Sequence, residues 1–360
     1  MQSNINDPTK DFRARLGAFL GSEAGTYVEI TAARRMAGGA SRESWAVDVE
    51  IAGGPDAGRH ALVLRLDSGG KIHDEALSRR EEFHVLCVAH REGVMVPRPR
   101  WVCADPAVLG APFLLMDRVE GESVGRRIVR QPELAEAHRR LPAQLGRQLA
   151  RIHAIDPQEA GLDFLPARNP GRSFADTALD RAAAQLWRMG EPHPALELAL
   201  RWLQAHAPTS DSAVLVHGDF RIGNVIVGPE GLRAVLDWEF AHVGDPAEDL
   251  AWPSVRSWRF GVNENRFGGI GEPEEFYAAY EQAGGRPVDR GAVDYWEILG
   301  NLRWAVGCMA QAHRHLSGQQ QSVELASLGR RTAEMELEVL DLIQRARCAQ
   351  PALKPTRSRQ

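Results

Sequence analysis

Lysine is nearly absent. Of the 43 Lys and Arg residues in this 360-residue chain, only Lys10, Lys71 and Lys354 are lysines, and two of these sit near the termini. Chemistry that calls for an amine has few candidates here, and arginine, with its planar fork and permanent charge, is left to stand in. Cysteine is scarce as well. Cys87, Cys103, Cys308 and Cys348 are far apart and form no CxxC pair, which excludes a disulfide scaffold and predicts reduced thiols. No run of 18 apolar residues occurs, so no membrane-spanning helix is expected. Positive charge is not in excess: 48 Asp plus Glu leave a formal net charge of −5, without the basic stripe of a nucleic-acid binder. The first fifteen residues, MQSNINDPTKDFRAR, lack the apolar core of a secretory leader. The expectation is a cytoplasmic protein with no nucleic-acid or membrane partner. The chain also lacks GxxxxGK[ST], HExxH and EF-hand patterns, which removes support for P-loop, zincin and calcium-binding readings.

What is present is a folded, soluble composition, 44% hydrophobic and 25% charged, at a length that favours two domains or lobes over one core. The first third reads as strands and turns. VEITAARRM leads to the small-residue turn Gly38-Gly39-Ala40-Ser41, SWAVDVEIA alternates, and HALVLRLD follows the Gly53-Gly54-Pro55 turn. Residues 74–91 have helical spacing through Leu77, Phe83, Leu86 and Ala89, and FLLMDRV is a further apolar strand. From about residue 131 the spacing becomes helical. Leu134, Leu141, Leu145, Leu149 and Ile152 predict a helix with a break near Pro142, and residues 274–350 are helical again. The expected organisation is α+β: an N-terminal part over 1–117 with a small antiparallel sheet and one helix, and a larger, mainly helical part over 118–350. A hairpin at 214–240 falls in the second part, and residues 351–360 are expected to be a disordered tail.

The densest polar cluster in an apolar setting is VLVHGDFRIGNVIV, residues 214–227, followed by VLDWE at 235–239. The strands on either side of Gly228-Pro229-Glu230-Gly231 fold into a hairpin about that turn, which places Asn224 opposite roughly residue 235. Asn224 and Asp237 then share one end of the hairpin, and Asp219 lies on the loop entering it. A carboxylate beside an amide oxygen suits Mg²⁺, a hard cation that keeps waters for a phosphate to replace. A second carboxylate five residues before the Asn can accept a proton from an attacking hydroxyl, which completes a phosphoryl-transfer arrangement.

HGDFRIGN, VLDWE and GDPAEDLAW (244–252) together resemble the aminoglycoside phosphotransferase and choline kinase-like family, of protein-kinase-like two-lobe fold, over residues 25–345. The resemblance implies ATP and Mg²⁺ as cofactors and a small molecule with a hydroxyl as substrate. It implies Asp219 as base, Asn224 and Asp237 as metal ligands, His217 as an orienting residue, and Asp249 as a brace behind the catalytic loop. Glu239 would touch a metal-bound water or substrate, or lie behind the site. In the N-terminal part such a fold needs a small-residue turn over the phosphates, a strand cation, and a helix Glu to hold that cation. Gly38, Gly39 and Ser41 supply the turn. The strand cation falls on Arg65, a departure from the expected lysine, and Lys71 is poorly spaced to replace it. Glu82, on the helix face of Leu86 and Ala89, is the helix Glu, with Glu81 as the alternative. Met116, Asp117 and Val119 would form the connector that meets the adenine.

Between 252 and 271 the chain has Trp252, Trp258 and Phe260 with Arg256, Arg259 and Arg266, against one Glu. A lid for a polycationic antibiotic would favour carboxylates, so Trp252, Arg256 and Arg259 are the candidate substrate residues for an anionic or apolar acceptor. SWRFG and YWEILGNLRWAV resemble the kinase-like domains fused to acyl-CoA dehydrogenases, which implies a hydroxyacyl-type acceptor. Two alternatives stay open: an aminoglycoside acceptor, and a nucleotide-binding pseudokinase that serves as a scaffold.

Overall fold

The computed structural model describes residues 8–36, 43–67, 76–210 and 212–349. In chain order the elements are α1 (Pro8–Ala24), β1 (Val28–Arg35), β2 (Glu43–Ile51), β3 (Gly58–Leu66), α2 (Arg79–Arg91), β4 (Pro99–Cys103), α3 (Pro106–Leu109), β5 (Phe113–Asp117), α4 (Gly125–Arg130) and α5 (Ala135–His153). There follow α6 (Phe174–Met189), α7 (Pro194–Ala205), β6 (Val214–Val216), β7 (Val225–Gly228), β8 (Gly231–Val235), β9 (His242–Gly244), α8 (Pro246–Ala251), α9 (Pro273–Gln282), α10 (Arg290–Leu316), α11 (Val323–Leu328) and α12 (Arg331–Ala349). No helix among the described residues is long and apolar enough to cross a membrane. The chain divides into two compact units: residues 1–166, 214–243 and 274–286, and residues 167–213, 244–273 and 287–360.

The first unit is built on a five-stranded antiparallel sheet of order β1-β2-β3-β5-β4. Period-2 alternation gives the sheet two different faces. Leu62, Leu64 and Leu66 of β3 pack with Val47, Val49, Phe113 and Leu115 and with Leu16 and Leu20 of α1. Val63 and Arg65 take the alternate positions of the same strand and so point to the opposite face. Helix α1 has no counterpart in the sequence reading, because its surface positions are polar. Its apolar residues still recur as Phe12, Leu16, Phe19 and Leu20, the i, i+4, i+7, i+8 spacing of one helix face, and Phe12 stacks on Trp45.

Helix α5 runs unbroken from Ala135 to His153 with Pro142 inside it. The expected break does not occur. Proline forfeits one backbone hydrogen bond, and the buried stripe of Leu141, Leu145, Leu149 and Ile152 on the same helix outweighs that local loss. The second unit packs α6, α7, α8, α11 and α12 around the 27-residue α10. Gly38, Gly39 and Ser41, Lys71, and the tail 351–360 all lie outside the described residues.

Candidate active site

The hairpin of β7 and β8 pairs Val225 with Val235 and Gly228 with Gly231. A register shift between Ile226 and Val227 adds one residue on the β8 side, so Asn224 faces residue 236 and not 235. The Leu236 N–H donates to the Asn224 carbonyl at 2.8 Å. Asn224 and Asp237 are thereby adjacent across the hairpin end. The next residues fix the remaining groups. Asn224 Nδ2 donates to the Asp219 carbonyl at 3.0 Å and to Asp219 Oδ2, which directs the Asn224 amide oxygen away from that loop. Arg221 Nε donates to Asp219 Oδ1 at 2.8 Å. Both oxygens of the Asp219 carboxylate are therefore held in place.

His217 is fully buried, and both of its ring nitrogens are used. Nδ1 accepts from the Asp219 N–H at 3.2 Å, and Nε2 donates to the Leu236 carbonyl at 2.9 Å. These two bonds assign the Nε2–H tautomer and join the Asp219 loop to the strand leading to Asp237. Between them, Gly218 has φ 81°, and a Cβ there would meet the Phe240 carbonyl at 2.4 Å, so the loop approaches as closely as it does only because this residue has no side chain.

Asp237 itself adopts φ 63° and ψ 64°, the left-handed region. A non-glycine residue held there costs on the order of 1 kcal/mol or more and persists where its surroundings over-determine it. Two such constraints are evident. Trp238 is buried with its ring 4.6 Å from that of His217, and Arg65 Nη2 pairs with Asp237 Oδ1. Glu239 contributes its carbonyl, which accepts from the Leu77 N–H at 2.8 Å.

Arg65 also reaches Glu82: Nη1 lies 3.2 Å from Glu82 Oε1. Burial would lower the Arg65 pKa, but Asp237 and Glu82 carry it above the ordinary arginine value, so this strand position holds a fixed cation. The choice between Glu82 and Glu81 resolves on helix geometry. Glu81 closes a capping box with Ser78, donating its N–H to Ser78 Oγ and accepting the Ser78 N–H at 2.7 Å. Glu82 is one position on and fully buried.

In the connector, Met116 is buried in β5. The Asp117 N–H donates to the Arg98 carbonyl and the Arg118 N–H to the Ala61 carbonyl. The Asp117 carboxylate is held by Arg100 Nε at 2.6 Å, and Val119 follows two residues on, half-buried. The connector then joins the hairpin. Glu122 and Val227 exchange backbone hydrogen bonds of 2.9 and 3.0 Å, and Gly121, at φ 147°, lies where a Cβ would clash with Ile226 at 2.6 Å. Gly121-Glu122-Ser123-Val124-Gly125 spells a serine-hydrolase elbow, but Ser123 is exposed and no histidine bonds to it among the described residues.

Asp249 lies in the second unit, fully buried on α8. Trp252 and Arg259 are also interior there, 8% and 3% exposed. Arg259 donates to the Ser254 carbonyl and to Glu297 and Glu338, and Arg256 Nη1 pairs with Glu338 at 2.7 Å. These side chains are committed to packing within that unit and do not form an exposed row.

Two residues of the charged cluster escaped the sequence reading. Arg221 follows Asp219 by two positions, and Arg79 precedes Glu82 by three on one helix face. Each is spaced to meet its carboxylate, but an arginine on its own reads as solvated surface.

For a divalent metal, the donor set here is the Asn224 amide oxygen and the Asp237 carboxylate. These are hard oxygen ligands, and two of them fit Mg²⁺, which binds through few protein groups and keeps waters and phosphates for the rest. No group of three or more His, Cys, Asp or Glu suited to a metal occurs among the described residues.

The chain is 30% identical over 293 residues to acyl-CoA dehydrogenase family member 10 of Mus musculus, covering 76% of this chain but only 26% of that protein's length. Among solved structures, a Ralstonia eutropha chain described as a candidate aminoglycoside phosphotransferase superposes with a TM-score of 0.71 at 23% identity, over 92% of this chain and 98% of that one. The GDP complex of aminoglycoside 2′-phosphotransferase-IIIa superposes with a TM-score of 0.61 at 14% identity, over 91% and 98%. These likenesses show the protein-kinase-like α+β fold. Residues 32–296 match the phosphotransferase enzyme family, APH, and the chain belongs to that family.

Proposed function

We propose that this chain transfers the γ-phosphoryl group of ATP, with Mg²⁺, to a hydroxyl of a small molecule of hydroxyacyl type. The observation that carries the reading is the hairpin end, where the Asn224 side chain bonds to Asp219 while its backbone pairs with Leu236. That one residue brings together a base, an amide oxygen and the carboxylate of Asp237, the set that phosphoryl transfer needs. Asn224 and Asp237 would hold the metal, which, when bound, supplies charge neutralisation at the transferring phosphate. Asp219, gripped by Arg221 and Asn224, stays fixed in orientation. Its role is to aim the acceptor hydroxyl and take its proton as the bond to phosphorus forms. Arg65, against Glu82, supplies the permanent cation on the strand. The use of a nucleotide is supported by the GDP held in the complex of the second solved relative, and the choice of ATP rests on the family resemblance.

The acceptor class rests on relatives named as acyl-CoA dehydrogenase family members. The arginines of residues 252–271 add no support for it, since they are paired with Glu297 and Glu338. A second reading, a nucleotide-binding scaffold, is favoured by one contact: Arg65 already pairs with the carboxylate assigned to the metal.

An ADP-release screen over hydroxyacyl-CoAs, sugars, choline-like alcohols and aminoglycosides separates the two. Turnover is expected with hydroxyacyl acceptors, and Asp219→Ala should lower it by about 10³-fold or more while ADP affinity changes little. ADP binding with no turnover on any acceptor would favour the scaffold, and turnover confined to aminoglycosides would refute the acceptor class.

A further inference from the structure

The pair of Arg65 and Glu82 does not stand alone. Both oxygens of the Glu82 carboxylate face guanidinium groups: Oε1 takes Arg65 Nη1, and Oε2 takes Arg79 Nη1. Arg79 opens α2 one turn ahead of Glu82 and is 1% exposed. Its Nη2 lies 2.7 Å from Asp67 Oδ1, just past the end of β3. Arg65 in turn holds Asp237. The charges alternate along Asp67, Arg79, Glu82, Arg65 and Asp237, and they tie β3 and α2 to the loop after β8.

A guanidinium this deeply buried costs several kcal/mol of desolvation unless its partners offset it, so its presence calls for a physical reason. A single cation placed between Glu82 and Asp237 is drawn toward the carboxylate in the lower dielectric, where attraction is stronger. That carboxylate is Glu82, whose side chain is 1% exposed against 34% for Asp237. Arg79 removes the bias by taking the second oxygen of Glu82, and Arg65 is then able to hold Asp237 as well. Asp237 needs such a tie, because its backbone lies in the left-handed region.

The geometry points to Arg79 as a positioning residue that, through Glu82, fixes Arg65 against Asp237 and so sets the anion-binding end of the site. The part of this inference that concerns nucleotide rests on the function proposed above, whereas the coupling along the chain of charges does not.

The test is a double-mutant cycle on the full chain. Arg79→Met and Asp237→Asn are made singly and together, in the native and the Arg65→Met backgrounds, and read by urea unfolding. The expected result is non-additivity equivalent to about a 3–10-fold change in the unfolding equilibrium constant, lost when Arg65 is replaced. Additive effects, or coupling that persists without Arg65, overturn the assignment. If Arg79→Met does not fold, Arg79→Gln enters the same cycle with the same two outcomes.

Calorimetry of ADP with Mg²⁺ supplies a reading that a packing role would not move. Arg79→Met should weaken ADP by about 3–10-fold, and Arg79→Lys, which keeps a cation against Glu82, should restore most of it. Unchanged affinity in Arg79→Met would count against the role. A native chain that binds no ADP would sink the nucleotide reading, and the unfolding cycle would still decide on Arg79.

Discussion

Among the arginine–carboxylate networks of the described residues, one in each compact unit has buried members, and the two terminate differently. In the second unit Glu297 and Glu338, with side chains 2% and 4% exposed, sit inside a ring of Arg256, Arg259 and Arg266. The carboxylates are sealed on α10 and α12, and their arginine partners all come from the segment before α9. In the first unit the sealed members are Arg79 and Glu82, and the network runs outward to Asp237, whose side chain is 34% exposed. In the second unit the groups that reach the surface are arginines, Arg256 at 23% and Arg266 at 31% exposed, and the carboxylates lie within. In the first unit the group that reaches the surface is a carboxylate held in a left-handed conformation, and the cations lie within. The same residue types thus build two networks of opposite polarity, and on the function proposed above the one that ends on Asp237 serves binding while the other serves packing.

The contrast is sharpest under substitution. Glu338→Ala removes the partner of Arg256 and Arg259 together and leaves the buried Arg259 guanidinium paired through Glu297 alone. Breaking a buried pair in this way costs about 3–5 kcal/mol. Urea unfolding should show a loss of that size, and a loss below about 1 kcal/mol would show that the network is dispensable for packing. Arg65→Ala should have the converse profile. Glu82 keeps Arg79 while Asp237 loses its tie, so the loss of stability should be smaller than in Glu338→Ala, while ADP affinity measured by calorimetry falls by about 10–100-fold, the range expected when one partner of a charge-assisted phosphate contact is deleted. Native affinity in that variant would mean that the arginine richness of the chain is merely compositional.

How far the sequence reached into this contrast depends on the range of the contacts. The hairpin was legible because Gly228-Pro229-Glu230-Gly231 marks its turn and apolar strands flank it. Its register was off by one because a bulge leaves no trace in an alternating pattern. That Glu82 faces inward was readable from i+4 and i+7 spacing, and Ser78-x-x-Glu81 is a capping box that could have assigned Glu81 to the helix end. The arginines of 252–271 show the opposite limit. Counted along the chain they predict exposed positive charge, yet Arg259 meets its carboxylates 38 and 79 residues away. Charge along a sequence is local, whereas neutralisation is not. Helix α1 was missed for a related reason: its apolar stripe gains meaning only from the sheet it covers.

The smallest expected effect tests the sealed network through pH. Burial raises the Glu297 pKa despite Arg266 and Arg259. At Glu338 burial also pushes upward, but Arg259 and Arg256 outweigh it and hold the carboxyl below the ordinary value. The two shifts have opposite consequences. A lowered folded-state pKa means that the unfolded chain binds more protons, so the stability due to Glu338 is present above the unfolded carboxylate pKa and is lost as pH falls through the folded one. A raised pKa means that the folded chain binds more protons, so the contribution of Glu297 is full below the unfolded value and fades as pH rises through the folded one. Urea midpoints measured from pH 3 to 7 should therefore rise less steeply across the acid limb in Glu338→Gln than in the native chain. In Glu297→Gln the decline above that limb should flatten instead. Identical slopes in all three proteins would mean that the sealed carboxylates do not titrate differently on folding, and the distinction between a network that ends on arginines and one that ends on a carboxylate would then rest on geometry alone.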